Sequence, residues 1–394
     1  MMTAFIYVFL FILMLFSLYY SGKRMSIKGI ALFKAAALGI IVFTLNEGLR
    51  FGRGIDYNYY AMAFNQNLIN HDSTWDPIFL LIANLLGYLG IPWQGYVILM
   101  SFTLIVSCAL LLDNFREVSK WAFPLFAIFA LPAENLMRWF FGFSFILIGV
   151  SYLLKSKDIK RIYIYGFFSL IAFLIHFALL PIAIIFYIFA YIKKPIIRPI
   201  PSILLFFIIG VAFKTSFMEQ FVDLMQLFSI SERAESYQYQ AEYWLTSGFA
   251  GVEKSPFPKY YELLLFIVNV YWGYKLAKTQ DHKYTFVYNI FLIGFITYPI
   301  CHQIELLTRF NNLFCIFQFV ILAYIIRFLL NDIKLVTNQF RKITVILSAL
   351  IVLNFIRVQI FTPFADTPNH FLYIWDKNGR EYLDPYIYWI KDMR

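Results

Sequence analysis

Long apolar segments alternate with short polar connections along the whole chain. A bilayer core needs roughly 20 apolar residues per crossing helix. The segments that reach or approach this length are 2–20, 30–49, 95–112, 138–154, 162–177, 178–192, 199–214, 260–277, 284–301, 309–327 and 343–361. Two shorter apolar segments lie at 77–91 and 121–132. The pattern predicts an all-α, polytopic integral membrane protein with about 12 transmembrane helices.

The two shorter segments decide how the chain crosses the membrane. Basic residues occupy alternate connections, which places those connections in the cytoplasm. The 50–76 connection then faces outward and the 113–120 connection inward, although two apolar segments separate them. We expect 77–91, which is bracketed by prolines, to be a re-entrant or half-inserted helix. The alternative is that 121–132 does not cross.

No soluble domain interrupts the apolar segments. We therefore predict one transmembrane domain over residues 1–361, followed by an outward-facing aromatic tail over 362–394. The larger outer loops are 50–76 and 215–259. The second loop begins with an amphipathic pattern at 217–228, which predicts a helix lying on the bilayer surface.

Composition supports a membrane protein and argues against several other classes. Apolar residues make up 61% of the chain and charged residues 14%, whereas soluble domains have about 45–50% apolar residues. The net charge of +10 reflects orientation signals in the connections, so we predict no nucleic-acid binding. The cysteines lack metal-ligand spacing, and nucleotide, metalloprotease and serine-hydrolase motifs are missing from the sequence. We expect no cofactor and no metal.

Arginine, and never lysine, occupies the short outward connections and their helix ends. The residues concerned are Arg50, Arg53, Arg138 and Arg309. A guanidinium group binds phosphate through two parallel hydrogen bonds, whereas lysine is a strongly hydrated point charge. This choice of residue predicts a site for a phosphorylated, membrane-borne substrate.

Each of three arginines follows a glutamate by one helical turn. The pairs are Glu47–Arg50, Glu134–Arg138 and Glu305–Arg309. Such spacings place both side chains on one helix face. We favour charge compensation near lipid as the role of the glutamates. The alternatives are that they hold the guanidinium groups until an anionic ligand binds, or that one of them is a base.

Three groups are candidates for the catalytic base, in the order Asp56, Glu305, His176. Asp56 lies in GRGIDYNYY, where two glycines permit an unusual backbone turn. His176 lies in the apolar stretch LIHFALLP, where a polar side chain is costly and marks a functional candidate. The alternatives are an ordinary turn at Asp56 and a histidine satisfied by a neighbouring carbonyl.

Five stretches of the chain resemble the EpsG-type exopolysaccharide polymerases, which are relatives of the Wzy O-antigen polymerases. The stretches are LRFGRGIDYNYYAMAF, WDPIFLLIANLLGYLGI, ENLMRWFFGFSFILIGVSYLL, FFSLIAFLIHFALLPIA and LLTRFNNLFCIF. The most specific part comprises Arg50, Gly54, Asp56, Tyr57 and Tyr60, with Arg53 inside it. Relatives often have a glutamate before the Pro-x-Phe element, where this chain has Asp76.

The resemblance implies an enzyme that joins oligosaccharide repeat units carried on undecaprenyl pyrophosphate. It would act at the outer face of the bacterial cytoplasmic (inner) membrane, with a flippase and a chain-length regulator of the same pathway as candidate partners. Substrate binding would involve Arg50, Arg53, Tyr57, Tyr60, Arg138 and Arg309. The rival functions are a flippase for the same lipid-linked sugar, a membrane acyltransferase and a structural subunit of an assembly complex.

Overall fold

The computed structural model of the chain describes residues 2–53, 55–65, 76–155, 158–212, 256–279, 281–301, 305–331, 349 and 373–375. In these residues the chain is helical, as predicted, and its one extended pairing is an isolated antiparallel bridge between Arg50 and Tyr373. The chain divides into two compact units. One comprises Met1–Tyr187 with Ile356–Arg394, and the other comprises Ile188–Phe355.

The helices of the first unit are joined by short connections. They are α1 (Met2–Met25), α2 (Leu32–Gly48), α3 (Ile55–Asn65), α4 (Pro77–Tyr88), α5 (Trp93–Leu112), α6 (Ser119–Phe129), α7 (Met137–Lys155), α8 (Lys160–Ile175) and α9 (Leu180–Tyr191), whose last turn passes the unit boundary. Short 3-10 helices cover Asp113–Phe115, Leu131–Glu134 and Phe177–Leu179. The helices described in the second unit are α10 (Pro199–Ala212), α11 (Pro256–Thr279), α12 (His282–Cys301), α13 (Glu305–Cys315) and α14 (Gln318–Asn331).

Several helices are long and apolar enough to cross a membrane, which supports a multi-pass membrane protein. Within the described residues there are five such spans, Phe5–Met25, Trp93–Phe115, Met137–Lys155, His282–Cys301 and Leu307–Phe328. The expected total of about 12 crossings stays a prediction. The predicted segment 343–361 and the surface helix at 217–228 fall outside the described residues, residue 349 excepted.

Polar contacts bring basic residues together at one end of the first unit. Arg116, between α5 and α6, donates from Nη1 to the carbonyl of Ile30 before α2, at 3.0 Å. Ser119 donates from its hydroxyl to the carbonyl of Gly22 near the end of α1, at 2.8 Å. Lys155, at the end of α7, pairs with Asp113 at the end of α5. These contacts join the connections that the sequence assigns to the cytoplasm.

After helices α3 and α4, the chain is back beside the C-terminal end of α2, where α5 begins. Gln94, in the first turn of α5, donates from Nε2 to the carbonyl of Gly48, the last residue of α2. With 12 residues, α4 is about 18 Å long, well short of a bilayer core of about 30 Å. This connectivity fits the expectation that 77–91 does not cross, and the depth of α4 in a bilayer stays a prediction.

Helix α3 lies within the segment 50–76, which we expected to be a loop. Its buried residues include Tyr57, Tyr60 and Ala61, whose spacing is that of one helix face. These side chains pack with Phe79 of α4 and Trp93 of α5 in a buried apolar cluster. Packing of this face against α4 and α5 explains why a stretch rich in tyrosine and asparagine is helical.

Buried amide side chains join helices in the second unit. Asn269 of α11 donates from Nδ2 to Oε1 of Gln318 in α14, at 3.1 Å. Asn311 of α13 donates from Nδ2 to the carbonyl of Gly294 in α12, at 2.7 Å. The helix expected over 309–327 is interrupted between α13 and α14. Paired amides of this kind offset the cost of burying polar groups.

The contact between α1 and α6 depends on Gly22. A Cβ atom at this position would collide with the backbone carbonyl of Ser119, so Gly22→Ala should force the two helices apart. Overpacking of this kind costs about 1–3 kcal/mol. Gly166 of α8 has no atom within 4 Å of an added Cβ, so Gly166→Ala is the matched control. We expect a lower melting temperature in detergent for Gly22→Ala alone. Equal melting temperatures would contradict the close packing.

Candidate active site: a buried arginine and carboxylate cluster

Four charged residues meet where α2 ends and α7 begins. Glu47 lies in the last turn of α2, Arg50 and Arg53 follow in the connection to α3, and Glu134 ends the short helix before α7. Between the two arginines, Gly52 has φ +66°, a left-handed conformation that glycine adopts without strain. All four charged side chains are buried.

Arg53 lies at the centre of the cluster with 1% of its surface exposed. Its Nη1 donates to Oε1 of Glu134 at 2.9 Å. The guanidinium carbon lies over the rings of Tyr7 and Tyr373, 4.6 Å and 4.7 Å from the two centroids. Its Nε and Nη2 make no hydrogen bond within the described part of the chain. Ring faces attract a guanidinium group electrostatically and offset part of its lost hydration.

Tyr373 anchors a C-terminal segment on the arginine loop. Its hydroxyl donates to Oδ1 of Asn46 at 2.8 Å, and the N–H of Ile374 donates to the carbonyl of Leu49 at 3.1 Å. Asn46 in turn donates from Nδ2 to Oε1 of Glu47 at 2.8 Å. The segment therefore both covers Arg53 and orients a carboxylate of the cluster.

Arg50 is held by the end of α2. Its Nη1 donates to the backbone carbonyl of Glu47 at 2.9 Å and lies 3.6 Å from Oε2 of the same residue. Gln94 donates from Nε2 to the carbonyl of Arg50 at 2.9 Å, and its Oε1 accepts a hydrogen bond from the hydroxyl of Tyr57 at 2.8 Å. These contacts fix the backbone that carries both arginines.

Arg138 forms an ion pair that its sequence spacing does not predict. The expectation that Glu134 and Arg138 share a helix face is wrong, because a 3-10 helix ends at Glu134 and α7 begins only at Met137. Arg138 instead pairs with Asp76, 3.0 Å from Nη1 to Oδ2, and Glu134 pairs with Arg53. The Glu47–Arg50 contact is observed as expected.

Basic and acidic residues are buried in equal numbers in this part of the molecule. Three arginines and three carboxylates are buried in the described part of the first unit, namely Arg50, Arg53, Arg138, Glu47, Asp76 and Glu134. Burial lowers the pKa of Arg53, but the charge of Glu134 raises it, and the net result lies above the ordinary value. Burial also lowers the pKa of Arg50, and Glu47 offsets this only in part. Both guanidinium groups remain charged.

A small pocket opens beside this cluster. Its charged lining consists of Glu47, Arg50 and Glu134, and most of the remaining lining is apolar, including Met100 and Leu104. The cavity volume is about 20 Å³, enough for about one water molecule. Arg53 does not line the pocket in the described structure. Of the buried guanidinium groups, Arg50 is therefore the one placed to meet a ligand there.

The other predicted site residues occupy varied positions. Tyr57 and Tyr60 are buried on α3, and burial raises the pKa of Tyr57 to about 12, so its hydroxyl stays protonated. Asp56 is partly buried, and its N–H donates to Oδ1 of Asn135 at 3.2 Å. His176 follows α8 and lies edge-on to Trp139, with 4.8 Å between ring centroids. Neither Asp56 nor His176 is among the described residues that line the pocket.

Arg309 and Glu305 belong to the second unit. Both lie on α13, and the Arg309 side chain is partly exposed. The Glu305 side chain falls outside the described residues, so its expected pairing with Arg309 stays a prediction. The grouping described above therefore concerns the arginines of the first unit alone.

Sequence reasoning assigned lesser roles to several residues of this cluster. From the sequence alone, Glu47 and Glu134 are expected mainly to compensate charge, and Asp76 is only a departure from relatives. Tyr7 and Tyr373 were not singled out, because nothing in the sequence links two residues so far apart to Arg53. No group of three or more His, Cys, Asp or Glu residues in the described part of the chain is placed to hold a metal ion.

The fold and the buried cluster together define a polytopic helical membrane protein with a charged pocket in its first unit. Residues 35–366 match the EpsG family, and the chain belongs to that family. Family membership and the apolar helices fit a polysaccharide polymerase. No curated protein and no solved structure is significantly similar to the chain.

The tyrosine that covers Arg53 provides a test of the cluster. Tyr373→Phe keeps the ring over the guanidinium and loses the hydrogen bond to Asn46, which should cost about 1 kcal/mol. Tyr373→Leu also loses the ring face, which should cost about 1 kcal/mol more. We expect melting temperatures in the order wild type, Tyr373→Phe, Tyr373→Leu in purified protein. If the two variants are equally stable, the ring does not stabilise Arg53.

Proposed function

We propose that the chain joins lipid-linked oligosaccharide repeat units into a polysaccharide at the outer face of the bacterial cytoplasmic membrane. In this reaction the growing chain leaves its undecaprenyl pyrophosphate carrier and is transferred to a hydroxyl group of the next lipid-linked unit. The observation that carries the proposal is a pocket with a guanidinium group and two carboxyl groups in an otherwise largely apolar lining, in a member of the EpsG family.

The roles of the arginines follow from what each contacts. Arg50 lines the pocket, and its Nε has no hydrogen-bond partner within the described residues. A guanidinium group so placed can stabilise the negative charge that develops on a departing pyrophosphate. Arg53 and Arg138 already hold Glu134 and Asp76 in ion pairs. We therefore assign phosphate binding first to Arg50 and a positioning role to Arg53.

The pyrophosphate leaving group explains why positive charge matters more than a general acid. Pyrophosphate departs readily once its charge is stabilised, so the donor needs fixed cations near the breaking bond. The acceptor hydroxyl needs a base within hydrogen-bond reach. The cavity is too small for a sugar ring and suits single reacting groups, so the repeat units themselves would extend beyond it.

The first test is genetic. Deleting the gene in its host should collapse the glycan ladder to single outward-facing repeat units, as resolved by gel electrophoresis and mass spectrometry of extracted lipid-linked glycans. Accumulation of single units on the cytoplasmic face would instead indicate a flippase. A ladder that persists in the deletion strain with only altered decoration would contradict the proposal.

The second test compares two arginines in the deletion strain. Arg50→Ala should lower polymer formation about 100-fold or more, because it removes a charge placed to stabilise the transition state. Arg50→Lys should lower polymer formation about tenfold, because it keeps the charge but loses the planar fork. The matched control is Arg116→Lys, since Arg116 also pairs with an acid three residues earlier but lies at the opposite end of the unit. Equal glycan ladders in Arg50→Ala, Arg50→Lys and Arg116→Lys would exclude a phosphate-binding role for Arg50.

A further inference from the structure

Two carboxyl groups lie side by side in the pocket. Glu47 comes from the last turn of α2 and Glu134 from the 3-10 helix before α7, and both line the cavity. Both carboxyl groups border the same space of about 20 Å³, which holds about one water molecule. Two carboxyl groups so close together disfavour ionisation of both, because like charges repel.

The surroundings of the two carboxyl groups differ. Glu134 accepts a direct hydrogen bond from the guanidinium of Arg53 at 2.9 Å, which favours its ionised form. Glu47 lies 3.6 Å from the guanidinium of Arg50 and accepts a hydrogen bond from the neutral amide of Asn46. The ionised form is therefore stabilised more strongly at Glu134 than at Glu47. Glu134 is left as a carboxylate whose position is set by Arg53.

We propose that Glu134 is the catalytic base that accepts the proton of the acceptor hydroxyl group. This assignment rests on the proposed polymerase function and deepens it by naming the proton acceptor. Arg53, whose guanidinium lies over the rings of Tyr7 and Tyr373, is then a positioning residue for Glu134. Asp56 and His176 do not line the pocket in the described structure, so neither is placed to reach a hydroxyl group bound there.

The reaction step balances without another reactant. The hydroxyl proton moves to a carboxylate oxygen of Glu134, and the hydroxyl oxygen forms a bond to the anomeric carbon of the donor. The bond between that carbon and the pyrophosphate oxygen breaks, and its electron pair leaves with the lipid pyrophosphate beside Arg50. A single displacement of this kind inverts the anomeric configuration of the transferred sugar.

The test uses purified full-length protein and lipid-linked repeat units extracted from the deletion strain. Glu134→Gln should lower the polymerisation rate about 100-fold or more, as expected for the loss of a general base. The control is Glu117→Gln, at the basic end of the first unit, with a rate within twofold of wild type. In Glu134→Ala, added formate should restore the rate at least tenfold, because it supplies a carboxylate to the space that the side chain vacates.

A second variant separates loss of the base from loss of the fold. Removing one partner of a buried ion pair is destabilising, whereas removing both is less so. If Glu134→Gln is unstable, the double variant Arg53→Gln/Glu134→Gln should recover a melting temperature nearer to wild type and remain inactive. An active double variant would overturn the assignment.

The outcomes distinguish failure of the Glu134 assignment from failure of the proposed function. If wild-type protein makes no polymer from these units, the proposed function fails. If wild-type protein polymerises them and Glu134→Gln retains more than a third of its rate, only the role of Glu134 fails. Absence of formate rescue, or retention of the anomeric configuration in the product as seen by NMR, would also contradict the role of Glu134.

Discussion

The ion pair between Arg53 and Glu134 is the interaction on which the rest of the site depends. It joins the connection after α2 to the corner before α7, and the rings of Tyr7 and Tyr373 add the start of α1 and a C-terminal segment. Burying two ions costs several kcal/mol of hydration, which their attraction offsets only when the geometry is good and the remaining polar atoms are satisfied. The direct hydrogen bond and the two ring faces supply part of this compensation, and Nε and Nη2 of Arg53 make no hydrogen bond within the described residues. Four segments distant in sequence therefore have to be in place before the pair is stable.

The need to compensate each buried charge gives the arginines different roles. A guanidinium group already bonded to a carboxylate and covered by aromatic rings is poorly placed to bind a substrate, whereas its charge still orients that carboxylate. Arg53 holds Glu134 in this way and Arg138 holds Asp76. Arg50 lines the pocket instead. Arginine thus serves both the stability of the cluster and the electrostatics of the proposed reaction. The pocket is lined both by Arg50 and by Glu134, the partner of Arg53.

The general architecture could be predicted from the sequence, and the partners within the site could not. Apolar segment length and the placement of arginines indicated helices with a charged cluster at one end. The prediction that Glu134 and Arg138 share a helix face is wrong, because the rule for residues four apart holds only within a continuous helix, and a 3-10 helix ends at Glu134. Helix α3 was missed although Tyr57, Tyr60 and Ala61 have helical spacing, because its amphipathic face is short and aromatic. The contact of Tyr373 with Arg53 depends on tertiary structure alone.

If the proposed function is right, the reacting groups of the lipid-linked repeat unit enter the charged pocket, and the rest of the unit lies next to it. The most direct measurement places a photoreactive leucine analogue at Leu131, which lines the pocket, and identifies its cross-linked product by mass spectrometry in native membranes. The same analogue at Leu170, an exposed residue on α8, serves as the comparison. We expect a glycolipid adduct at Leu131 that disappears when Arg50 is replaced by alanine. An adduct at Leu170 alone, or equal adducts at both positions, would contradict it.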